Sequence, residues 1–212
     1  MLSKFREPVS GLTHLFGAIL SILGLNILIQ HSVITYKSSL IVFGISLILL
    51  YTASSVYHLV SASDKAIMIL RRIDHSMIYV LIAGTYTPIC MIALKGRLGS
   101  SLCAAIWALA LTGIILKIFW FNAPRWLYTF FYVFMGWIAI FAIYPLTKAI
   151  SFSGILWLIA GGVSYTIGAV IYAAKWPKIT SELFGFHEIF HIFVLLGSFC
   201  HFWMMFKYVM CV

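Results

Sequence analysis

Long unbroken apolar runs alternate with short polar breaks along almost the whole chain. Seven runs reach the roughly 20 apolar residues that a helix needs to cross the hydrocarbon core of a bilayer: 11–30, 39–60, 73–94, 100–120, 126–146, 153–174 and 184–207. The runs are continuous and do not alternate with a period of two, which excludes a transmembrane β-barrel. In lipid, backbone N–H and C=O groups must pair within their own segment, so the pattern predicts helices. The expected fold is an all-α integral membrane protein, a seven-transmembrane-helix bundle forming a single membrane domain over residues 1–212. The first run follows basic residues, as in a secretory signal peptide, but no small-residue cleavage site follows it and more spans do, so it is expected to stay as the first helix. Pro88 and Pro145 are expected kinks. Gly161, Gly162 and Gly168 are expected to let helices approach closely.

Composition agrees with the pattern. Hydrophobic residues make up 63% of the chain and charged residues only 9%, against about 25% charged in soluble domains. The 14 Lys and Arg outweigh 5 acids, giving a net charge of +9. In a soluble protein that excess would suggest nucleic acid. Here the basic residues lie between apolar runs, so no nucleic-acid partner is expected and they are read as topology signals and headgroup contacts. Nine stand on the side of the amino terminus (Lys4, Arg6, Lys65, Arg71, Arg72, Lys117, Arg125, Lys175 and Lys178) and five on the other (Lys37, Lys95, Arg97, Lys148 and Lys207). The positive-inside rule then puts the amino terminus in the cytoplasm and the carboxyl terminus outside, as a multi-pass protein of the cell's inner (plasma) membrane. Cys90, Cys103, Cys200 and Cys211 form no C-x-x-C pair and are read as small apolar fillers.

The polar residues inside the runs are few and unevenly placed. With seven spans, the end of the second lies on the same membrane face as the starts of the first, third and seventh. His14, His58, His75, His187 and His191 therefore share one depth with Glu7, Asp74 and Glu188. Intramembrane ionisable groups are costly, and they mark functional sites. His187 and His191 stand four residues apart, one turn apart on one helical face. Such a pair can hold one Zn²⁺, and an open zinc site takes three protein ligands. His58 supplies the third, with Ser54 one turn before it. Asp74 is then placed to accept a hydrogen bond from a zinc-bound water or to take its proton. The bland alternative makes Asp74 an interfacial partner of Arg71 or Arg72. His75, about 100° around the helix from Asp74, is read as a packing or outer contact, and Glu7 and His14 as a polar cap or outer support. His201, about 15 Å along the helix from His191, is too distant to share the metal. The letters from His187 to His191 also read H-E-x-x-H, the zinc-protease pattern with Glu188 as base, but that reading leaves Ser54 and His58 without a role.

Four elements together resemble a known family: Glu7-Pro-Val-Ser-Gly-Leu-Thr-His14, Ser54-Ser-Val-Tyr-His58, Arg72-Ile-Asp74-His75-Ser76 and His187-Glu-Ile-Phe-His191. In order and in helix placement, the chain resembles the progestin and adipoQ receptor superfamily, in its bacterial hemolysin III-like branch. It departs at Ser10, where the family often has Asn. The resemblance implies a seven-helix bundle with a zinc ion near the cytoplasmic face, held by His58, His187 and His191, and a water that contacts Asp74 and Ser54. It also implies a site layout similar to that of zinc-dependent ceramidases, and links to signalling and to membrane lipid balance.

The leading expectation is a zinc-dependent lipid amide or ester hydrolase with a membrane lipid as substrate, Asp74 as general base, and Ser54 steadying the water or the tetrahedral intermediate. One alternative is a non-enzymatic receptor, sensor or membrane-homeostasis factor with structural zinc. Another is a pore-forming haemolysin, although no charged face lines several helices as a pore would want.

Overall fold

The computed structural model describes residues 5–120, 123–179, 181 and 184–212. Among them there are seven helices long and apolar enough to cross a membrane, and no strands. They are α1 (Pro8–His31), α2 (Ile34–Leu59), α3 (Asp64–Leu94), α4 (Gly96–Phe119), α5 (Arg125–Ala149), α6 (Phe152–Ala174) and α7 (Phe186–Val209). Lys4, one of the basic residues behind the orientation reading, lies outside the described residues.

Local chemistry sets the ends. Pro8 opens α1, where its missing N–H would have no partner in any case. Ser63 caps α3 by accepting from the Ala66 N–H, and Ser151 caps α6 by accepting from Gly154. The α3 helix starts well before the apolar run at 73, because the segment from Asp64 to Arg72 is polar yet helical and begins at a good cap. Asp74 therefore lies ten residues into α3. Both prolines coincide with irregular winding. Pro88 precedes a π-helical stretch, Ile89–Leu94, and Pro145 follows a 3₁₀ stretch, Ile138–Ala142. A proline ring removes one N–H from the ladder and crowds the carbonyl four residues back.

The bundle is apolar on both sides of its wall. Phe43, Leu40, Ile106, Leu146 and Met204 fill the interior, while Ile19, Leu23, Ile115 and Phe141 point outward. Outward apolar faces suit a lipid solvent, and the helices then associate through packing and inter-helix hydrogen bonds. Glycines set the α6–α7 seam. A Cβ on Gly168 would sit 3.0 Å from Phe193, and one on Gly161 would overlap the His201 ring. A polar chain crosses the bundle interior: Tyr51 on α2 donates to Ser198 on α7 at 2.6 Å, and Ser198 also pairs with Tyr165 on α6 at 2.7 Å. Helix α7 packs on both α6 and α1, so the last helix closes on the first.

Candidate metal centre

Three helix ends meet on one face of the bundle. The end of α2 brings His58, the start of α7 brings His187 and His191, and the start of α1 covers them. One ligand nitrogen from each of the three histidines lies within 4.8 Å of the other two. His58 and His191 are almost fully buried, and His187 is half-buried.

Hydrogen bonds on the far side of two rings decide which nitrogens face inward. Glu7, just before α1, pairs with Nδ1 of His58. A carboxylate can only accept, so Nδ1 carries a proton, and in the neutral ring the lone pair is then on Nε2. The same bond, with the Arg6 charge beside it, holds the Glu7 pKa below its ordinary value. A depressed folded-state pKa means that this tie is present above the unfolded carboxylate pKa and is lost as pH falls through the lower folded value. On α7, Nδ1 of His191 lies 3.2 Å from the carbonyl oxygen of Ser10. A carbonyl accepts, so this Nδ1 donates and Nε2 is again the lone-pair side. Carboxylate and carbonyl partners of this kind orient metal-binding imidazoles.

The donor set fits a divalent metal. Nε2 of His58 and Nε2 of His187 stand 3.3 Å apart. Two nitrogens bound tetrahedrally at about 2.0–2.1 Å from one ion stand roughly 3.3 Å apart. Without an ion, a pair of imidazole nitrogens can share only one proton. Three imidazoles thus converge as a divalent metal requires, and His58, His187 and His191 could hold it.

The other predicted residues take distinct places. Ser54, one turn before His58, is buried and lies near the Asp74 carboxylate of α3. Asp74 is also within electrostatic reach of His58, Arg71 and Lys117. His14 stacks on His191, with ring centres 3.6 Å apart and planes 8° from parallel, and Tyr51 meets its edge. His75 presents its carbonyl to the Tyr132 hydroxyl at 3.1 Å, while its ring lines the cavity described below. Glu188 turns away from the histidines. One oxygen accepts from the Gly185 N–H at 2.8 Å, capping the helix start, and the other accepts from the Ser10 hydroxyl at 2.5 Å. Its partners are a backbone amide and a hydroxyl, not a basic group. His201 lies apart, with Nε2 donating to the Leu158 carbonyl at 3.3 Å.

Sequence reasoning gave Ser10 no role beyond a departure from a motif. In the structure its hydroxyl holds Glu188 and its carbonyl holds His191. Its place in the first turn of a helix that starts at the same face as α7 was the available signal.

A cavity of about 410 Å³ runs from this cluster into the bundle. Ser54, Asp74, His187 and His191 line one end. Ile140, Ile143 and Leu158 line the remainder, with His201 beside them, so the walls are mostly apolar.

Comparison with known proteins follows the same lines. A sequence profile described as Haemolysin-III related matches residues 2–202. The chain is 42% identical over 203 residues to the "Hemolysin-3 homolog" of Bacillus subtilis (strain 168), covering 93% of this chain and 92% of that one. It is 40% identical over 208 residues to "Hemolysin-3" of Bacillus cereus, covering 96% and 92%. More distantly, it is 26% identical over 174 residues to the human "Monocyte to macrophage differentiation factor", covering 79% of this chain and 68% of that one.

Proposed function

The chain belongs to the Haemolysin-III related family of multi-pass membrane proteins, and from that premise we propose that it is a zinc-dependent hydrolase of lipid amide or ester bonds that contributes to membrane lipid homeostasis. The observation that carries this reading is the junction of a mostly apolar, chain-sized cavity with a three-histidine cluster and a buried carboxylate. Zinc bound by His58, His187 and His191 would supply Lewis acidity towards an acyl carbonyl and lower the pKa of a coordinated water.

The protein's own groups do the rest. The apolar walls take the acyl chain and exclude bulk water. Glu7 and the Ser10 carbonyl keep the His58 and His191 rings in the ligating tautomer. Asp74 takes a proton from the attacking water at its carboxylate and returns it to the departing amine or alcohol, while Ser54 fixes the orientation of that carboxylate. Glu188 is a helix cap and takes no part in proton transfer. The decisive experiment is turnover of bacterial lipid extracts by purified protein with measured zinc content. Stoichiometric zinc with no released fatty acid under any extract would overturn the hydrolase reading.

A second reading keeps the metal and drops the chemistry: zinc staples α2 to α7 in a receptor-like or homeostatic protein. The clasp from Glu7 and Ser10 onto the same two helices favours it. Direct binding of Asp74 to the metal, closing a four-ligand shell, would support this staple over catalysis. The name Hemolysin-3 on the Bacillus cereus relative suggests a pore, but the apolar cavity lining argues against a conducting path. The nine-to-five split of basic residues supports a cytoplasmic amino terminus, an external carboxyl terminus and an inner-membrane location. A reporter fused at Val212 should be active only if it functions outside the cytoplasm; a cytoplasmic signal reverses the assignment.

A further inference from the structure

Deep in the apolar cavity stand two polar rings that the metal centre does not use. Tyr165 on α6 and His201 on α7 both line the cavity, with ring centres 5.5 Å apart. Each ring is seated by a glycine on the opposite helix. A Cβ on Gly161 would stand 2.3 Å from Cδ2 and Nε2 of His201, and one on Gly197 would stand 2.9 Å from the Tyr165 ring. The two small residues thus let the helices close around both rings. Ser198 and His201 lie seven and ten residues beyond His191, about 10–15 Å along the helix. An acyl chain whose carbonyl is at the histidine cluster reaches this depth near its middle.

Donors and acceptors do not balance at this point. His201 is only 7% exposed. It donates from Nε2 to the Leu158 carbonyl at 3.3 Å, so in the neutral ring Nδ1 is an acceptor. That Nδ1 is buried and has no hydrogen-bond partner among the described residues. Tyr51 gives its proton to Ser198 at 2.6 Å, nearer than the Val194 carbonyl at 3.4 Å. Ser198 has one further partner, the Tyr165 oxygen at 2.7 Å, so its own proton goes there. The Tyr165 O–H is then left without an acceptor among the described residues. One unfilled donor and one unfilled acceptor therefore share one stretch of apolar wall. Unpaired polar groups are costly in such surroundings, and packing alone would be served by Phe and Leu.

We propose that Tyr165 and His201 bind a hydroxyl group carried midway along a lipid acyl chain in the apolar cavity. A hydroxyl both accepts and donates, so one group accepts from the Tyr165 O–H and donates to Nδ1 of His201. A carbonyl or an ether only accepts and leaves the histidine unfilled, and a methylene fills neither. The same pairing offsets the cost of bringing the ligand's hydroxyl into an apolar space. Within the hydrolase reading, on which its role as a substrate group rests, the protein selects amides or esters of mid-chain hydroxy fatty acids over those of plain ones.

The test is equilibrium binding and needs no turnover. Full-length protein in detergent micelles is titrated with ricinoleate, which carries a mid-chain hydroxyl, and with oleate as the plain comparator. An isomer of ricinoleate hydroxylated next to its carboxylate is the third arm. The Tyr165→Phe, His201→Phe double variant sets the baseline for how each lipid divides between micelle and protein. Against that baseline wild type should favour ricinoleate over oleate by about tenfold, the weight of two hydrogen bonds in place of two unfilled groups. Tyr165→Phe or His201→Phe alone should lose most of the preference, because one hydroxyl serves both side chains. Oleate binding by each variant shows that it is folded; if one of them loses oleate, the other carries the comparison. A ricinoleate-to-oleate ratio that is the same in wild type and double variant overturns the proposal and leaves the two groups to an ordered water. An equal gain for the isomer hydroxylated next to its carboxylate overturns it too, since the hydroxyl is then not bound at this depth. A protein that turns over no lipid yet keeps the ricinoleate preference loses the hydrolase reading and keeps this one, whereas turnover without the preference does the reverse.

Discussion

Two buried histidine sites lie ten residues apart on α7. At the first, His187 and His191 meet His58 from α2. The Nδ1 atoms of His58 and His191 are committed to Glu7 and to the Ser10 carbonyl, and both rings turn Nε2 inward. At the second, His201 stands alone. Its Nε2 donates to the Leu158 carbonyl, its ring fills the notch left by Gly161, and its Nδ1 is buried with no hydrogen-bond partner. His191 and His201 share burial, helix and residue type. What differs is the convergence of lone pairs: an outer acceptor fixes a ring, but only several fixed rings aimed at one point make a metal site.

The largest expected effect tests that contrast directly. Replacing His187 and His191 together by Ala should take zinc from about one per chain to near zero by elemental analysis, while His201→Phe should leave it near one. Zinc that persists in the double variant erases the distinction. Next, Asp74→Asn should reduce lipid turnover by about 10²–10⁴-fold, the usual weight of general-base loss, with zinc retained. Glu188→Gln should keep turnover, since its carboxylate serves Gly185 and Ser10; the reverse pattern would put proton transfer on α7. A smaller effect is expected at the outer acceptor. Glu7→Gln should weaken zinc affinity by about 10–100-fold in a chelator competition, and an unchanged affinity would mean that Glu7 does not tune His58. The smallest belongs to His201, where Phe removes one backbone hydrogen bond worth about 1 kcal/mol. A modest fall in thermal midpoint with unaltered metal content is the expected outcome.

The helices and the three histidines were legible because each rests on a periodic signal. Twenty apolar residues announce a span, and two imidazoles four apart announce one face of a helix. The parity of seven spans then brings His58 to the same end without further information. The role of Glu188 was not legible in H-E-x-x-H, since the same letters serve a protease base and a helix cap. Only the position of the helix start, with Gly185 as N-cap, separates the two. The early start of α3 was hidden for the opposite reason: Asp64 to Arg72 is too polar to register as a span, yet it is helical behind the Ser63 cap. Lys117 read as a topology signal near the end of a run. Its burial against Tyr128 depends on the α4–α5 approach, which no local pattern encodes.

The clasp between the two ends of the chain has a consequence for biosynthesis. His191 meets Ser10 across 181 positions of sequence, and His58 meets His187 across 129. Membrane helices are delivered in order from the amino terminus, so for most of synthesis Glu7 and His58 have only each other, while Ser10 and Nε2 of His58 wait for the seventh helix. No ion can be held by His58 alone. A metal held by the three histidines would therefore report that the seventh helix has arrived and docked. A filled site would thus mark completed assembly of the bundle.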